Sequence, residues 1–370
     1  MDRRAAAAER LADASLPTVD EEVWRYSRIG DLDLGRFAPI ATASTVDHGA
    51  LGKARVARAS EIDDGAALLG NLPDHGDALV WLHHALAVDP IVIDVPAGVA
   101  VSDPIVVRHS GPADGMAAAP RLVVRAGADS EVRVVEVFDG GGAGLFLPVT
   151  DIAVASAARV GYVGVQTLDR STWSIASLDL EAGAQATVTA GLAGFGGDYA
   201  RVRTNCLLTG RGATGDLLAA YFGDGDQTHD YRTFQEHVAP DTTSNLLFKG
   251  VVSDRARSVY TGLIKVDADA RGTNAFQTNR NIKLSEDAWA ESVPNLVIEN
   301  NDVHCSHASV VGPIDEEQRF YLESRGVPTA TAERLIVAGF FAEAFDKFPA
   351  NTLRPSLDAA VAAKLEAVMA

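Results

Sequence analysis

The sequence predicts a mainly β chain: a stacked β-solenoid from Ile91 to Gly312, flanked by helical regions at both ends. Three observations carry this. Short β-branched runs, at Ile91-Val92-Ile93, Ile105-Val106-Val107, Leu122-Val123-Val124 and Val132 to Val137, are bounded by Gly, Pro and Asp, the punctuation of strands. Small-residue turns recur at Ala126-Gly127-Ala128, Ala157-Ala158, Ala182-Gly183-Ala184 and Arg211-Gly212-Ala213, roughly 26 to 30 residues apart, which is the range of stacked coils. No long amphipathic helical pattern interrupts the chain until about Asp315. One coil alone cannot bury its apolar face, and stacking solves this. A two-sheet β-sandwich is the alternative that periodicity leaves open.

Composition bounds the rest. A chain of 370 residues, 47% hydrophobic and 22% charged, can bury one large core or two smaller ones. A formal charge of −18 with no Lys/Arg block argues against a nucleic-acid partner, since phosphate binding needs a basic surface. Solubility is the plainer meaning of that charge. The stretch Met1 to Leu16 is charged and alanine-rich without a continuous apolar core, so neither a signal peptide nor a membrane span is expected. Cys206 and Cys305 make neither a disulfide framework nor a CxxC motif, which fits a reducing cytoplasm.

Residues 1–90 read as a helical or mixed region. Arg4 to Ala14 is a helix ending before Pro17. Trp24 and Tyr26, beside Arg25, are expected to anchor this part onto the body, with ligand binding as the alternative. Ala66 to Leu69 and Ala78 to His84 are helix-compatible. His83 and His84 are adjacent and cannot share a helical face, so a surface position is expected.

Residues 91–312 form the predicted core. Gly140-Gly141-Gly142 and Gly194 to Gly197 are turns rather than phosphate loops, because no GxxxxGK[ST] follows. The cluster Asp226 to His237 holds the ingredients of acid/base chemistry, but His229 and His237 lie eight apart; together with Ser244 and Lys249 they read mainly as rung-to-rung hydrogen bonding. Asn274, Gln277, Thr278, Asn279 and Asn281 read as an amide ladder between coils.

Residues 313–370 turn helical. Asp315 caps a helix with Gln318 at the reciprocal position, stopping at Gly326 before Pro328. From Ala332 to Phe348 a wide apolar face carries Ile336, Phe340, Phe341, Ala344, Phe345 and Phe348. This face either closes the open end of the solenoid or docks a partner. A last helix is expected from Ser356 to Val368, after Pro355.

The stretch with the densest chemistry is Asn301 to Gly312. On an extended strand Cys305 and His307 share one face while His304 and Ser306 share the other. A thiol and an imidazole side by side suit a soft metal, or a sulfur-handling thiol whose pKa a nearby His⁺ lowers. The alternative is a buried cysteine flanked by two satisfied histidines.

Asp302-Val303-His304-Cys305-Ser306-His307-Ala308, with Val311-Gly312, Ile314-Asp315, Gln318, Phe320-Tyr321-Leu322 and Ser324-Arg325-Gly326, resembles the C-terminal signature of the SufB/SufD family of iron–sulfur cluster assembly scaffolds. Glu22-Val23-Trp24-Arg25-Tyr26-Ser27, Gly262-Leu263-Ile264-Lys265-Val266 and Gln277-Thr278-Asn279 extend the resemblance. It is loose between about Gly30 and Leu180. The resemblance implies a right-handed parallel β-helix and a non-catalytic, cytoplasmic SufD-type subunit working with a SufB-type paralogue and a SufC-type ATPase. It implies that Cys305 and His307 match the family's Cys-Ser-His motif at the contact between paralogues, with His304 outside it. It also implies that the C-terminal helices, with Ile336, Phe340, Phe341, Phe345 and Phe348 as candidates, bind the ATPase. No cofactor is expected to stay on this chain alone, and iron or a cluster would be transient. Two cysteines fall short of the four ligands that a cluster usually takes. The Cys-Ser-His signature, short chain and sparse cysteines favour SufD over SufB. A homodimeric SufB-like scaffold is the alternative, and a β-helix polysaccharide-active enzyme, usually secreted, is a more distant one.

Overall fold

A computed structural model describes residues 3–72 and 76–369. Its coils are set by one recurring corner. Asp129, Ala157, Gln185, Gly212, Asp241 and Gly272 all adopt left-handed backbone, with φ between 56° and 73°. The residue after each is small and buried: Ser130, Ala158, Ala186, Ala213, Thr242 and Thr273. The N–H of each corner residue donates to a carbonyl in the corner of the next coil, from Asp129 to Ser156 through Gly272 to Asp302, at 2.7–3.1 Å. The alanine and glycine repeat in the sequence is this corner. It needs left-handed backbone at one position and a small inward side chain at the next, which Gly-Ala supplies but Asp-Ser and Ala-Ala also satisfy.

Between corners the chain crosses from one sheet to the other. In the first sheet Trp173 lies beside Tyr199, and Arg257 beside Trp289, so a coil takes 26 to 32 residues. Neighbouring strands along the stack are parallel, from the Ile91–Val95 and Leu122 pairing to the final rungs. The β-sandwich alternative is thereby excluded, since its neighbours run antiparallel. The result is a parallel β-solenoid of about eight turns, with side chains of alternate residues filling the space between two sheets.

The two ends differ. At the first, antiparallel strands Ser44–Asp47 and Arg55–Arg58 cover Ile105–Ser110 and Ile91–Val95. At the other, the ten-residue strands Trp289–Ile298 and Val303–Gly312 each have a neighbour on one side only.

Residues before the solenoid pack along its flank. Trp24 is buried, with the Arg201 guanidinium 3.8 Å from its ring. Arg201 donates to the Val23 carbonyl and Arg232 to the Arg25 carbonyl, while both guanidinium groups pair with the buried Asp230. The expected anchor is therefore a desolvated, mutually paired ion network, the arrangement in which buried charges are tolerated. Helices span Arg3–Asp13 and Ala78–Leu86. His83 and His84 are not on the surface: the second helix lies between the first helix and the solenoid, so both histidines are buried. The His83 Nδ1 is 2.6 Å from the Leu147 carbonyl oxygen.

At the C-terminus, Asp315 accepts from the N–H groups of Glu317 and Gln318 and caps helix Glu316–Ser324. The Gln318 side chain reaches the Asp315 carboxylate instead of its backbone. Helices Thr329–Phe345 and Arg354–Val368 follow, the last starting before Ser356 because Pro355 fits its first turn. The apolar face does not close the open end. Phe341, Phe345 and Phe348 are buried against Val137, Val163, Ala193 and Leu218 on the outer face of the second sheet. Buried Lys249 ties this helix down through the Phe340 carbonyl and Glu343, and Lys364 pairs with Asp224.

Candidate functional site

The strand Val303–Gly312 is the last rung of the second sheet, and its register decides which side chains meet. Cys305 lies beside Ala275 and His307 beside Gln277. Ala275, Gln277 and Asn279 face the interior and are buried. Cys305, His307 and Ser309 consequently turn to the same inner side, at the mouth of the open end, while His304 and Ser306 turn outward. The expected pairing of Cys305 with His307 on one strand face is what the backbone provides, though no hydrogen bond joins them.

Cys305 is half-buried and packs against a cluster of Ile264 and Val266 from the first sheet with Ala270 and Ala275, which Leu296 and Val303 also border. Burial pushes its thiol pKa up, partly offset by a hydrogen bond from the Ala275 backbone. The lowered thiol pKa that a neighbouring His⁺ would give is thus not a property of the free subunit. His307 is exposed. Cys206 is fully buried three rungs deeper in the first sheet, its pKa pushed up to about 12 by burial. The two thiols are not brought together.

Beneath the mouth the solenoid interior is polar. Gln277 donates through Nε2 to the Tyr260 hydroxyl, which also bonds Thr233 at 3.0 Å. Asn281 donates to Asn279 at 2.8 Å and accepts from the Tyr221 and Ser258 hydroxyls. Gly262 is required here, because a Cβ would run into the Gln277 amide and the Tyr260 phenol. The expected amide ladder is therefore a network of amides with tyrosines, with Asn274 and Thr278 facing out of it.

The histidines of the second polar cluster are not poised for acid/base work. His237 bonds Thr242 at 2.8 Å and Ser244 at 2.9 Å within its own coil. Burial lowers its pKa to about 4 and that of His229 to about 3, so both are neutral at pH 7. Asp230 is occupied by two arginines. Among the described residues, no group of three or more His, Cys, Asp or Glu side chains is placed to hold a metal ion. Cys305 and His307 can supply two ligands, and a four-ligand cluster needs the rest from elsewhere.

A feature missed in the sequence surrounds the mouth: Phe276, Val297, Ile298, Val310 and Val311 are exposed. Its signal is the loss of polar alternation in the last rungs, where Val310-Val311 and Val297-Ile298 are consecutive apolar pairs. No helix among the described residues is long and apolar enough to cross a membrane.

The fold is that of a parallel β-solenoid, open at one end, with Cys305 and His307 on one face of its last rung. The chain belongs to the SufBD family: residues 108–340 match the model for "SUF system FeS cluster assembly, SufBD core domain", a range that includes Cys305 and His307. It is 34% identical over 283 residues to an iron–sulfur cluster assembly SufBD family protein of Mycobacterium tuberculosis, covering 74% of this chain and 71% of that one. A SufBD family protein of Mycobacterium leprae is 31% identical over 366 residues, covering 94% of this chain and 90% of its own. The iron–sulfur cluster assembly protein SufD of Escherichia coli is 37% identical over 149 residues, 40% of this chain and 35% of its own length.

Proposed function

We propose that this chain is a SufD-type, non-catalytic scaffold subunit that pairs with a SufB-type paralogue and a SufC-type ATPase in the cytoplasm, the iron–sulfur cluster being the cargo of the complex. The observation that carries this reading is the open end, where strands Trp289–Ile298 and Val303–Gly312 expose unpaired edges in both sheets beside Cys305 and His307. A ten-residue edge with apolar side chains is a template for strand addition by another chain. A solenoid of the same kind docking there would bring further ligands to the two that this chain offers, so that an assembling cluster is held at the seam. The match to SufD of Escherichia coli supports the choice of subunit type.

The ATPase would engage the C-terminal helices through exposed side chains. Phe320, Tyr321 and Leu335 are exposed there, and Ile336 and Phe340 are half-buried. Phe341, Phe345 and Phe348 are spent on the solenoid flank and contribute by holding the helix in place.

Affinity purification of the tagged chain from its native cell tests this. An ABC-type ATPase and a longer paralogue should copurify in fixed ratio. Recovery of a homodimer with the ATPase but no paralogue would replace the SufD-type reading with a homodimeric scaffold, and recovery of neither would refute both.

A further inference from the structure

We infer that Gln277 is a positioning residue for His307: its side-chain oxygen accepts the N–H of the imidazole and fixes which ring nitrogen is left free to bind iron. The inference rests on the reading of His307 as a ligand at the seam and adds what orients it.

Three features of the mouth point to this role. Gln277 is 2% exposed, and its Oε1 is buried with no hydrogen-bond partner, an arrangement that costs stability unless another group completes it. Its orientation is set from below. Nε2 donates to the Tyr260 hydroxyl, Tyr260 is bonded to Thr233, and the amide fills the space left by Gly262. With the nitrogen committed, the oxygen is the free end. His307 is registered directly over Gln277 on the same inner face, one interstrand spacing of about 4.8 Å away.

A second unpartnered atom lies on the last rung of the facing sheet. The Ser292 Oγ is buried without a partner, and Ser292 is registered over Tyr260 in the facing sheet. The mouth therefore offers an unsatisfied amide oxygen one rung below an imidazole and an unsatisfied hydroxyl on the facing last rung, whereas other unpartnered interior side chains, such as His229 and Gln235, lie on a deeper rung, away from the open end. Histidines that bind metals nearly always donate their other N–H to an acceptor, which fixes the tautomer and raises ligand basicity. Gln277 supplies that acceptor from a neighbouring rung, anchored two hydrogen bonds deep in the fold.

Nitrogen-15 NMR of the histidine-labelled full chain at fixed pH tests the contact, with the His307 signals identified from a His307→Gln sample. The expected wild-type result is a single neutral tautomer at His307, averaging between tautomers in Gln277→Leu and restored to one form in Gln277→Glu. In the copurified complex, Gln277→Leu should weaken Co²⁺ binding about 10- to 100-fold, with Gln277→Glu close to wild type. An averaging His307 in the wild-type chain overturns the inference without recourse to any variant. Unchanged Co²⁺ affinity in a folded Gln277→Leu complex also overturns it. If His307→Gln itself leaves Co²⁺ affinity unchanged, it is the ligand reading of His307 that fails, and the tautomer measurement still decides the hydrogen bond.

Discussion

His83, His84, His229 and His237 are buried neutral, and their cost appears when the pH falls. Burial lowers the pKa of His83 and His237 to about 4, of His229 to about 3 and of His84 to about 2. In the unfolded chain each titrates near 6.5, so below that value the unfolded state binds more protons and stability drops. The loss begins near pH 6.5 and continues until the folded pKa values are reached. Each histidine contributes up to about 2 kcal/mol of destabilisation between pH 6.5 and 5. Urea midpoints should therefore fall steeply from pH 7 to pH 5, and a flat profile over that window would show that these rings are protonated or solvated in the folded state. His83 and His84 were illegible as core residues because adjacency rules out one shared helical face, yet a helix covered on two sides buries both faces. Cys305 and His307 were legible because strand alternation needs only the sequence; the burial that raises the thiol pKa was not, since it depends on Ile264, Val266 and Ala275 from the preceding coil.

At the scale of the element, helix Thr329–Phe345 shows where sequence reasoning stops. Its apolar face was readable from helical spacing, but what covers the face depends on the path of the chain after Gly312. That path returns the helix along the outer side of the second sheet, where Phe341 is fully buried among Val337, Phe345 and solenoid side chains. Phe341→Ala should cost about 3–5 kcal/mol of folding stability, the range for a buried phenylalanine. Thermal or urea unfolding of the isolated chain checks this, and an unchanged midpoint with lost ATPase binding would instead restore Phe341 to a docking role. The corner repeat was legible in part for a related reason. Glycine and alanine mark it, but Asp129-Ser130 and Asp241-Thr242 meet the same backbone requirement without either residue.

For the molecule as a whole, the two ends of the solenoid differ: antiparallel strands of the chain itself cover one, and the other is open, where the proposed paralogue would dock. Val310 is 56% exposed on the last rung, so Val310→Asp should leave the thermal midpoint of the free chain nearly unchanged. The same change should break association with the paralogue, read as a shift from complex to free subunit in size-exclusion chromatography with light scattering. Persistence of the complex would place the contact elsewhere. The central claim, that the mouth of the solenoid is where the cluster is assembled, is tested most directly by iron and sulfide content of the anaerobically purified complex, measured beside its subunit ratio. His307→Ala should lower both contents while the subunit ratio stays that of wild type, Cys305→Ala should have an equal or smaller effect, and Cys206→Ser, at a thiol sealed in the core, should be close to silent. Wild-type iron and sulfide in an intact His307→Ala complex would contradict it, and a loss confined to Cys206→Ser would move the site to the other thiol.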